Sequence, residues 1–431
     1  MTDKDTIFAL SSGQPPAAIG IMRISGDKAS AALRNLGGSL PDPRRANVMQ
    51  LTDPDSGELL DMALTIWFPG PDSATGEDLA EIHCHGGRAV IRAIEQALGQ
   101  LSGLRQAEPG EFTRRAFTHG RMDLAEAEGL SDLLFAETEL QRRSAIRVAS
   151  GSLSKMIGEW QAKILQLSAA VEAELDFSDE DDVVPAQLDK VRNMASDLTT
   201  DMNRLLERPR AEKLRDGVRV VLGGPPNSGK STLLNELVER EAAIVSNIAG
   251  TTRDVIEVPI AIGGIPFLFV DTAGVRDEGA EEIEQIGIGR ARQQFDLADL
   301  ILWMGEEGEG PDSPRLIEIA AKSDLPEHKP KSNEVLSVSP VSGEGMEALI
   351  ALLVGYARDI IPSGDETSVN ARQASHLASA SESLSEINQS EDYLIIAEQL
   401  RLARAELDAF TGMASTENML DTLFGKFCIG K

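Results

Sequence analysis

At 431 residues the chain exceeds the roughly 250–300 at which a single core stops growing, so two or three domains are expected. Its 42% hydrophobic and 26% charged content are globular values that exclude disorder and fibrous repeats. The 70 acidic against 41 basic side chains leave a net charge of −29, which excludes a broadly basic nucleic-acid coat and a polybasic membrane tether, so any RNA must meet a local basic patch.

From Met1 to about Phe117, short apolar runs (AIGIMRISG, MALTIWFPG, LAEIHCHGG) alternate with Gly and Pro, which predicts strands with short helices in an α+β domain. The start, MTDKDTIFAL, lacks the basic region and apolar stretch of a signal peptide, and no run approaches the ~20 apolar residues that span a bilayer. Cys84 and Cys428 are too few for a disulfide framework, so a reducing cytoplasm is the expected address. His83-Cys84-His85-Gly86-Gly87 invites a zinc reading, but neighbouring strand side chains point to opposite faces and no second Cys/His cluster completes four ligands. A packed strand entering a glycine turn is preferred. Arg114, Arg115 and Arg121 form a basic cluster that composition alone reads equally well as a solvated face.

After Gly120 the pattern becomes helical. Met122, Ala125, Gly129, Leu130 and Leu133 mark one apolar face, and Ile157, Trp160, Ile164, Leu167, Val171 and Leu175 mark another, predicting long antiparallel bundle helices. An acidic stretch, Asp176 to Asp182, followed by Pro185, reads as a loop, and helical text returns from about Gln187 to Leu214. From Val218 to about Ile361 strands and helices alternate, and from Asn370 onward the chain is helical again, with Ile396, Leu400, Ala403, Leu407 and Phe410 on one stripe. An α/β domain inserted into a helical domain is the simplest arrangement.

Inside the α/β block, Gly224-Pro225-Pro226-Asn227-Ser228-Gly229-Lys230-Ser231-Thr232 follows the strand VRVVL and opens a helix. In such a loop the backbone N–H groups of Asn227, Ser228 and Gly229 converge on phosphate oxygens, Lys230 brings a point charge, and the Ser231 hydroxyl is a hard ligand for Mg²⁺ at a helix N-terminus. Asp271-Thr272-Ala273-Gly274, 41 residues after Lys230, ends the run FLFV; an acid there can hold Mg²⁺ through water, and Gly274 can offer its N–H to a γ-phosphate. Between them Gly250-Thr251-Thr252-Arg253-Asp254 lies in the position of a switch loop whose threonine completes the Mg²⁺ shell, with a capped surface turn as the other reading. Lys322-Ser323-Asp324 and Ser339-Pro340-Val341 stand where guanine is read, and a carboxylate at Asp324 accepts from guanine N1 and N2, a pair that adenine lacks.

The order and spacing of these segments resemble the G domain of translation-factor-related GTPases. RISG at Arg23–Gly26, GEDLAEIHCHGG, PGEFTRRAFTHGRMDL and the closing Cys428-Ile429-Gly430-Lys431 further resemble the MnmE (TrmE) family of tRNA uridine modification GTPases. The resemblance implies a multidomain chain: an α+β N-terminal folate-binding and dimerisation domain (1–118), an α-helical bundle domain in two parts (119–214 and 362–431), and an inserted α/β P-loop GTPase (G) domain (215–361). It further implies K⁺ held by Asn227, Ser246, Ile248 and Thr251, Mg²⁺ held by Ser231 and Thr252, GTP as nucleotide, and Glu284 as a water-orienting catalytic residue beside Lys230. By residue type alone Glu284 also reads as a solvated helix charge. A 5-formyl-tetrahydrofolate-type one-carbon donor would meet Arg23, Glu81, Arg121 and Lys431. Cys428 would lie near the modification chemistry, either acting or merely packed. The implied partners are a second copy of the chain, an FAD-containing MnmG-like protein in a heterotetramer, and tRNA, whose wobble uridine would be modified at C5; no membrane is involved. A ribosome-assembly or signalling switch that acts by binding alone is the alternative.

Three positions depart from the usual GTPase pattern. Val275 stands where many regulatory GTPases place a catalytic Gln, Ala321 where an Asn braces the base loop, and Pro340, which has no N–H, where an Ala donates to guanine O6. Weaker nucleotide binding and looser selectivity are expected, not their abolition, with Asp324 carrying most of the base discrimination.

Overall fold

The computed structural model describes residues 5–176, 186–243, 256–271, 292–326, 331, 336–364, 366–413, 417–425 and 427–430. The chain divides into two compact units, Met1–Ser131 with Asp408–Lys431, and Asp132–Leu407.

The first unit carries β1 (Thr6–Leu10), β2 (Ile19–Ser25), β3 (Asn47–Thr52), β4 (Leu59–Phe68), β5 (Leu79–His85) and β6 (Leu104–Gln106) in one sheet of order β3-β4-β5-β2-β1-β6. The pairs are antiparallel apart from β1 with β6. Helices α1 (Ala29–Gly37) and α2 (Arg88–Gln100) supply Leu33, Leu36, Ile91, Ile94 and Leu98 to a core with Met22, Ile24, Ile82 and Cys84. Alternation along β2 and β5 therefore sends Arg23, Glu81 and His83 to the other face.

That other face is polar and networked. Ser25 Oγ donates to Glu77 Oε2 at 2.7 Å, and Arg115, from α3 (Glu111–Thr118), reaches both Glu77 (3.0 Å) and Glu111 (3.1 Å). Arg115 is buried, and a buried guanidinium needs such partners. The solvated-face reading thus fails for Arg115, while Arg114 bonds Asp421 at 2.6 Å. The C-terminal residues close over the start of α3: the Gly110 N–H donates to the Cys428 carbonyl at 3.4 Å and Pro109 bridges Ile429. Gly430, at φ +94°, comes so near that a Cβ would stand 2.1 Å from the Leu10 carbonyl oxygen, so glycine is required there.

The second unit opens its helices, after α4 (Leu124–Leu134), with α5 (Glu139–Ala149), α6 (Ser152–Asp176) and α7 (Ala186–Leu206). Ile157, Trp160, Ile164, Leu167 and Val171 are buried on α6, as the spacing predicts. The helical text expected from Gln187 to Leu214 is broken: α7 ends at Leu206 and α8 (Ala211–Asp216) starts afresh. Pro209 accounts for the break, since it lacks an N–H and disfavours helical backbone at the residue before it. Gln141, in the capping box of α5 with Thr138, donates from Nε2 to the Leu214 and Arg215 carbonyls at 3.1 and 3.2 Å and so fastens α8.

A second sheet follows, built from β7 (Val218–Gly223), β8 (Ala242–Ala243), β9 (Ile256–Ile262), β10 (Ile265–Asp271), β11 (Leu300–Trp303), β12 (Leu316–Ala321) and β13 (Leu336–Val338) in the order β13-β12-β11-β7-β10-β9-β8. From β13 to β10 the strands are parallel, whereas β9 runs antiparallel to both of its neighbours, β10 and β8. Gly263 and Gly264, at φ +58° and +80°, close the tight β9–β10 hairpin. Helices α9 (Lys230–Arg240) and α10 (Met346–Ile360) bury Leu233, Leu237, Leu349 and Leu353 against Val220, Leu222, Phe267 and Phe269. Such near-continuous apolar strands suit a parallel sheet covered on its faces. Beyond it run α11 (Ala371–Glu386) and α12 (Tyr393–Thr411), where Ile396, Leu400, Ala403, Leu407 and Phe410 are fully buried.

Candidate functional site

In an open α/β sheet, ligands bind beyond the carboxyl ends of the strands. Here β7, a central strand, ends at Gly223 beside Trp303 of β11, with Leu222 beside Asp271 of β10, and the loop 224–229 runs on into α9. Three of its residues adopt positive φ: Gly224 (+140°), Asn227 (+62°) and Gly229 (+105°). At Gly224 a Cβ would meet Ser228 Oγ and the Met304 backbone at 3.0 Å, so the tight loop needs glycine. Lys230 is buried, and its Nζ donates to the Gly224 and Pro225 carbonyls at 2.9 Å each, closing the loop over its own ammonium. Ser228 Oγ is buried with no hydrogen-bond partner among the described residues. A cradle with a buried ammonium and an unused hydroxyl fits an oxyanion such as a phosphate.

Beside it, Ser231 Oγ donates to Asp271 Oδ2 at 2.6 Å, and Asp271 is buried. Two hard oxygens held this closely at a helix start suit a small divalent cation such as Mg²⁺. Thr232 is exposed in the same first turn of α9. The sequence reading thus brings Asn227, Ser228, Gly229, Lys230, Ser231, Thr232 and Asp271 to one end of the sheet.

At the neighbouring strand ends, Lys322 adopts φ +63° and the Ser339 hydroxyl donates to Asp324 Oδ1 at 2.6 Å. Ser339 is fully buried, and its Oγ also accepts from the Ser342 N–H at 3.1 Å, so its single proton is committed to Asp324. Sequence reasoning missed this role for Ser339; its place directly after β13 is the signal that could have found it. Ala321 ends β12 against Val338 of β13, and its methyl packs on the core.

Several assigned positions lie outside the described residues: Ser246, Ile248, Gly250, Thr251, Thr252, Arg253 and Asp254, then Thr272, Ala273, Gly274, Val275 and Glu284, and finally Lys431.

In the N-terminal unit Arg23 and Glu81 are cross-strand partners. Arg23 donates to Glu81 Oε1 from Nε at 3.2 Å and from Nη2 at 2.8 Å, and His83 Nε2 lies 3.2 Å from Oε2. Burial pushes the Glu81 carboxyl up, but the hydrogen bonds and charge of Arg23, with help from His83, outweigh it and hold Glu81 below the usual carboxylate range. The Arg23 guanidinium carbon stands 5.8 Å from the centre of the Phe112 ring, two residues beyond the Gly110 that holds the Cys428 carbonyl. Arg121 lies with Nη1 3.6 Å from Asp72 Oδ1. Cys428 is exposed. His83, Cys84 and His85 diverge: His83 meets Glu81, His85 bonds Asp61 at 2.8 Å, and Cys84 is buried with its thiol donating to the Gly20 carbonyl. Burial, with Asp61 nearby, pushes the Cys84 thiol up to about 11, so it is un-ionised at neutral pH.

A phosphate loop on a central parallel strand, an acid on the adjoining strand and a carboxylate braced by a buried serine define the class of P-loop nucleotide-binding proteins with a guanine-type base loop. Residues 6–121 match the family described as GTP-binding protein TrmE N-terminus, and residues 124–428 match that described as MnmE helical domain. Proteins named tRNA modification GTPase MnmE are similar over almost the whole length. That of Erythrobacter litoralis is 57% identical over 430 residues, covering 99% of this chain and all of the relative. That of Novosphingobium aromaticivorans is 56% identical with the same shares, and that of Rhizorhabdus wittichii 53%, covering 99% of this chain and 97% of the relative. The chain belongs to the MnmE family of tRNA modification GTPases. Among the described residues no helix is long and apolar enough to cross a membrane.

Proposed function

We propose that the chain hydrolyses GTP in a K⁺-dependent manner and, with an FAD-containing MnmG-like partner in a heterotetramer, directs modification at C5 of the wobble uridine of tRNA in the cytoplasm. The observation that carries the reading is the Ser231–Asp271 contact of 2.6 Å beside the Lys230-closed loop, a phosphate and cation cradle formed at one strand end. When bound there, Mg²⁺ supplies charge neutralisation for a leaving phosphate. Ser231, Thr252 and Asp271 would hold the cation. The loop amides from Asn227 to Gly229, with Lys230, bind the phosphates, and Thr272, Ala273 and Gly274 border the γ-phosphate. Asn227, Ser246, Ile248 and Thr251 would hold K⁺, which would supply the positive charge that the aliphatic Val275 cannot. Glu284 orients the attacking water. Lys322 and Asp324 take the base.

In the N-terminal domain, 1–118, a formyl-tetrahydrofolate-type donor is assigned to Arg23, Glu81, Arg121 and Lys431, and this domain joins two copies of the chain. Guanidinium groups suit folate carboxylates, while a Glu accepts from pterin N–H groups. Support comes from the Arg23–Glu81 pair, preformed on the polar face of the sheet over Phe112. Cys428 is assigned to the edge of the same site, supported by the Gly110 N–H that donates to its carbonyl near the start of α3.

Mass spectrometry of tRNA nucleosides tests the reading. Deleting the gene should remove the C5-aminomethyl-type wobble uridines, and the wild-type gene but not Lys230→Ala should restore them. Unchanged nucleosides after deletion would overturn it.

A further inference from the structure

Ala321 offers only a methyl group where a base loop expects the bracing amide of Asn, yet the two segments that carry the base-reading groups are tied together by other means. Ser323 Oγ donates to Glu344 Oε2 at 2.8 Å, across 21 positions of sequence. The Ser323 N–H donates to the Val338 carbonyl at 3.3 Å, and the Ser339 N–H donates to the Glu344 carbonyl at 2.9 Å. Glu344 itself is fixed from both sides. The Gly343 N–H donates to the Ser339 carbonyl at 2.8 Å. Gly345, at φ +72°, approaches β13 so closely that a Cβ would stand 2.0 Å from the Ser337 carbonyl oxygen. Gly345 is also the N-cap of α10, so the Glu344 carboxylate lies at the positive end of that helix.

We propose that Glu344 is a positioning residue for guanine discrimination: through Ser323 it holds the Asp324 segment against Ser339 and takes over the bracing that Ala321 lacks. The proposal rests on the reading above that Asp324 meets the base. The chemistry is suited to the task. A serine hydroxyl needs an acceptor, and an ionised carboxylate, which only accepts, makes a stronger bond to it than a neutral group does. The bond links residue 323, next to Asp324, to the turn that also presents Ser339. Loss of the bond frees the loop and leaves the Ser339–Asp324 contact as its main side-chain tie.

The test compares GDP and IDP binding to the full chain by titration calorimetry. Hypoxanthine lacks the 2-amino group that Asp324 would hold, so the ratio of the two affinities reads the placement of that carboxylate, whereas a general folding defect weakens both nucleotides alike. Glu344→Ala should lower the GDP-to-IDP affinity ratio by about three- to tenfold, the size of one hydrogen bond. Glu344→Gln, which keeps an acceptor oxygen, should lower it less. Adding Ala321→Asn to Glu344→Ala should restore most of the ratio. An unchanged ratio in Glu344→Ala, or an equal loss for both nucleotides, overturns the proposal. Asp324→Asn separates this from failure of the base reading itself. Its amide N–H complements the 2-carbonyl of xanthine, so the variant should prefer XDP to GDP. If it still prefers GDP, the base assignment fails and the proposal with it. If it turns to XDP while Glu344→Ala keeps its ratio, only the positioning role is lost.

Discussion

The two ends of the proposed nucleotide site are built from different material. At the phosphate end the sheet and loop do the work with backbone: Gly224 and Gly229 in positive φ, the start of α9, and Lys230 closing on its own loop carbonyls. At the base end the work is done by side chains from separate segments, with Asp324 held by Ser339 and its neighbour Ser323 held by Glu344. A site made of backbone geometry demands particular residues at fixed spacing. A site made of side-chain contacts can be rebuilt from other residues, and here Ala321 and Pro340 coincide with such a rebuilt set.

If that contrast is right, substitutions at the phosphate end should cost far more than those at the base end. Lys230→Ala removes the buried ammonium and should lower GTP turnover by about 100- to 1,000-fold in steady-state assays, while circular dichroism shows the fold intact. Loss of only a few-fold would mean that the loop does not carry the phosphate. Gly229→Ala and Gly345→Ala both force a side chain into positive φ; in urea unfolding the first should cost about 1–3 kcal/mol, and the second more, because its Cβ would also stand 2.0 Å from the Ser337 carbonyl oxygen. They should differ in function. The first should weaken GTP and ATP alike, and the second chiefly the preference for guanine. Ser339→Ala should leave overall stability close to wild type and reduce the GDP-to-IDP affinity ratio about fivefold, read by calorimetry.

The N-terminal unit offers a smaller version of the same test, because its Arg23–Glu81 pair is also side-chain work. Glu81 titrates below its unfolded value near 4.5. Its contribution to stability is therefore full above that value and is lost as pH falls through the folded one. Thermal melts should show this acid-side loss, and Glu81→Gln should flatten it. Cys84 and Cys428 should separate in alkylation at pH 8: the exposed Cys428 reacts, and the buried Cys84, with its thiol raised to about 11, does not.

Legibility in the sequence follows the same divide. The phosphate loop, the acid at Asp271 and the buried stripe on α6 could be read directly, because backbone geometry and helical period impose residue types at fixed intervals. Strand alternation was enough to separate Cys84 from its two histidine neighbours. The role of Ser339 and the Ser323–Glu344 bond could not be read, since each joins residues that only the folded sheet brings together. Arg115 stayed undecided between a basic cluster and a solvated face for the same reason: its burial depends on Glu77 and Glu111 closing around it. The break between α7 and α8 was visible in principle at Pro209, but the apolar spacing on either side masks it.

Whether one sheet end both grips phosphate and selects guanine is tested most directly by competition. The full chain, loaded with a fluorescent GTP analogue and Mg²⁺, is titrated with unlabelled GTP or ATP at equal concentrations. GTP should displace the probe while ATP leaves it largely in place. Equal displacement by the two would contradict the account.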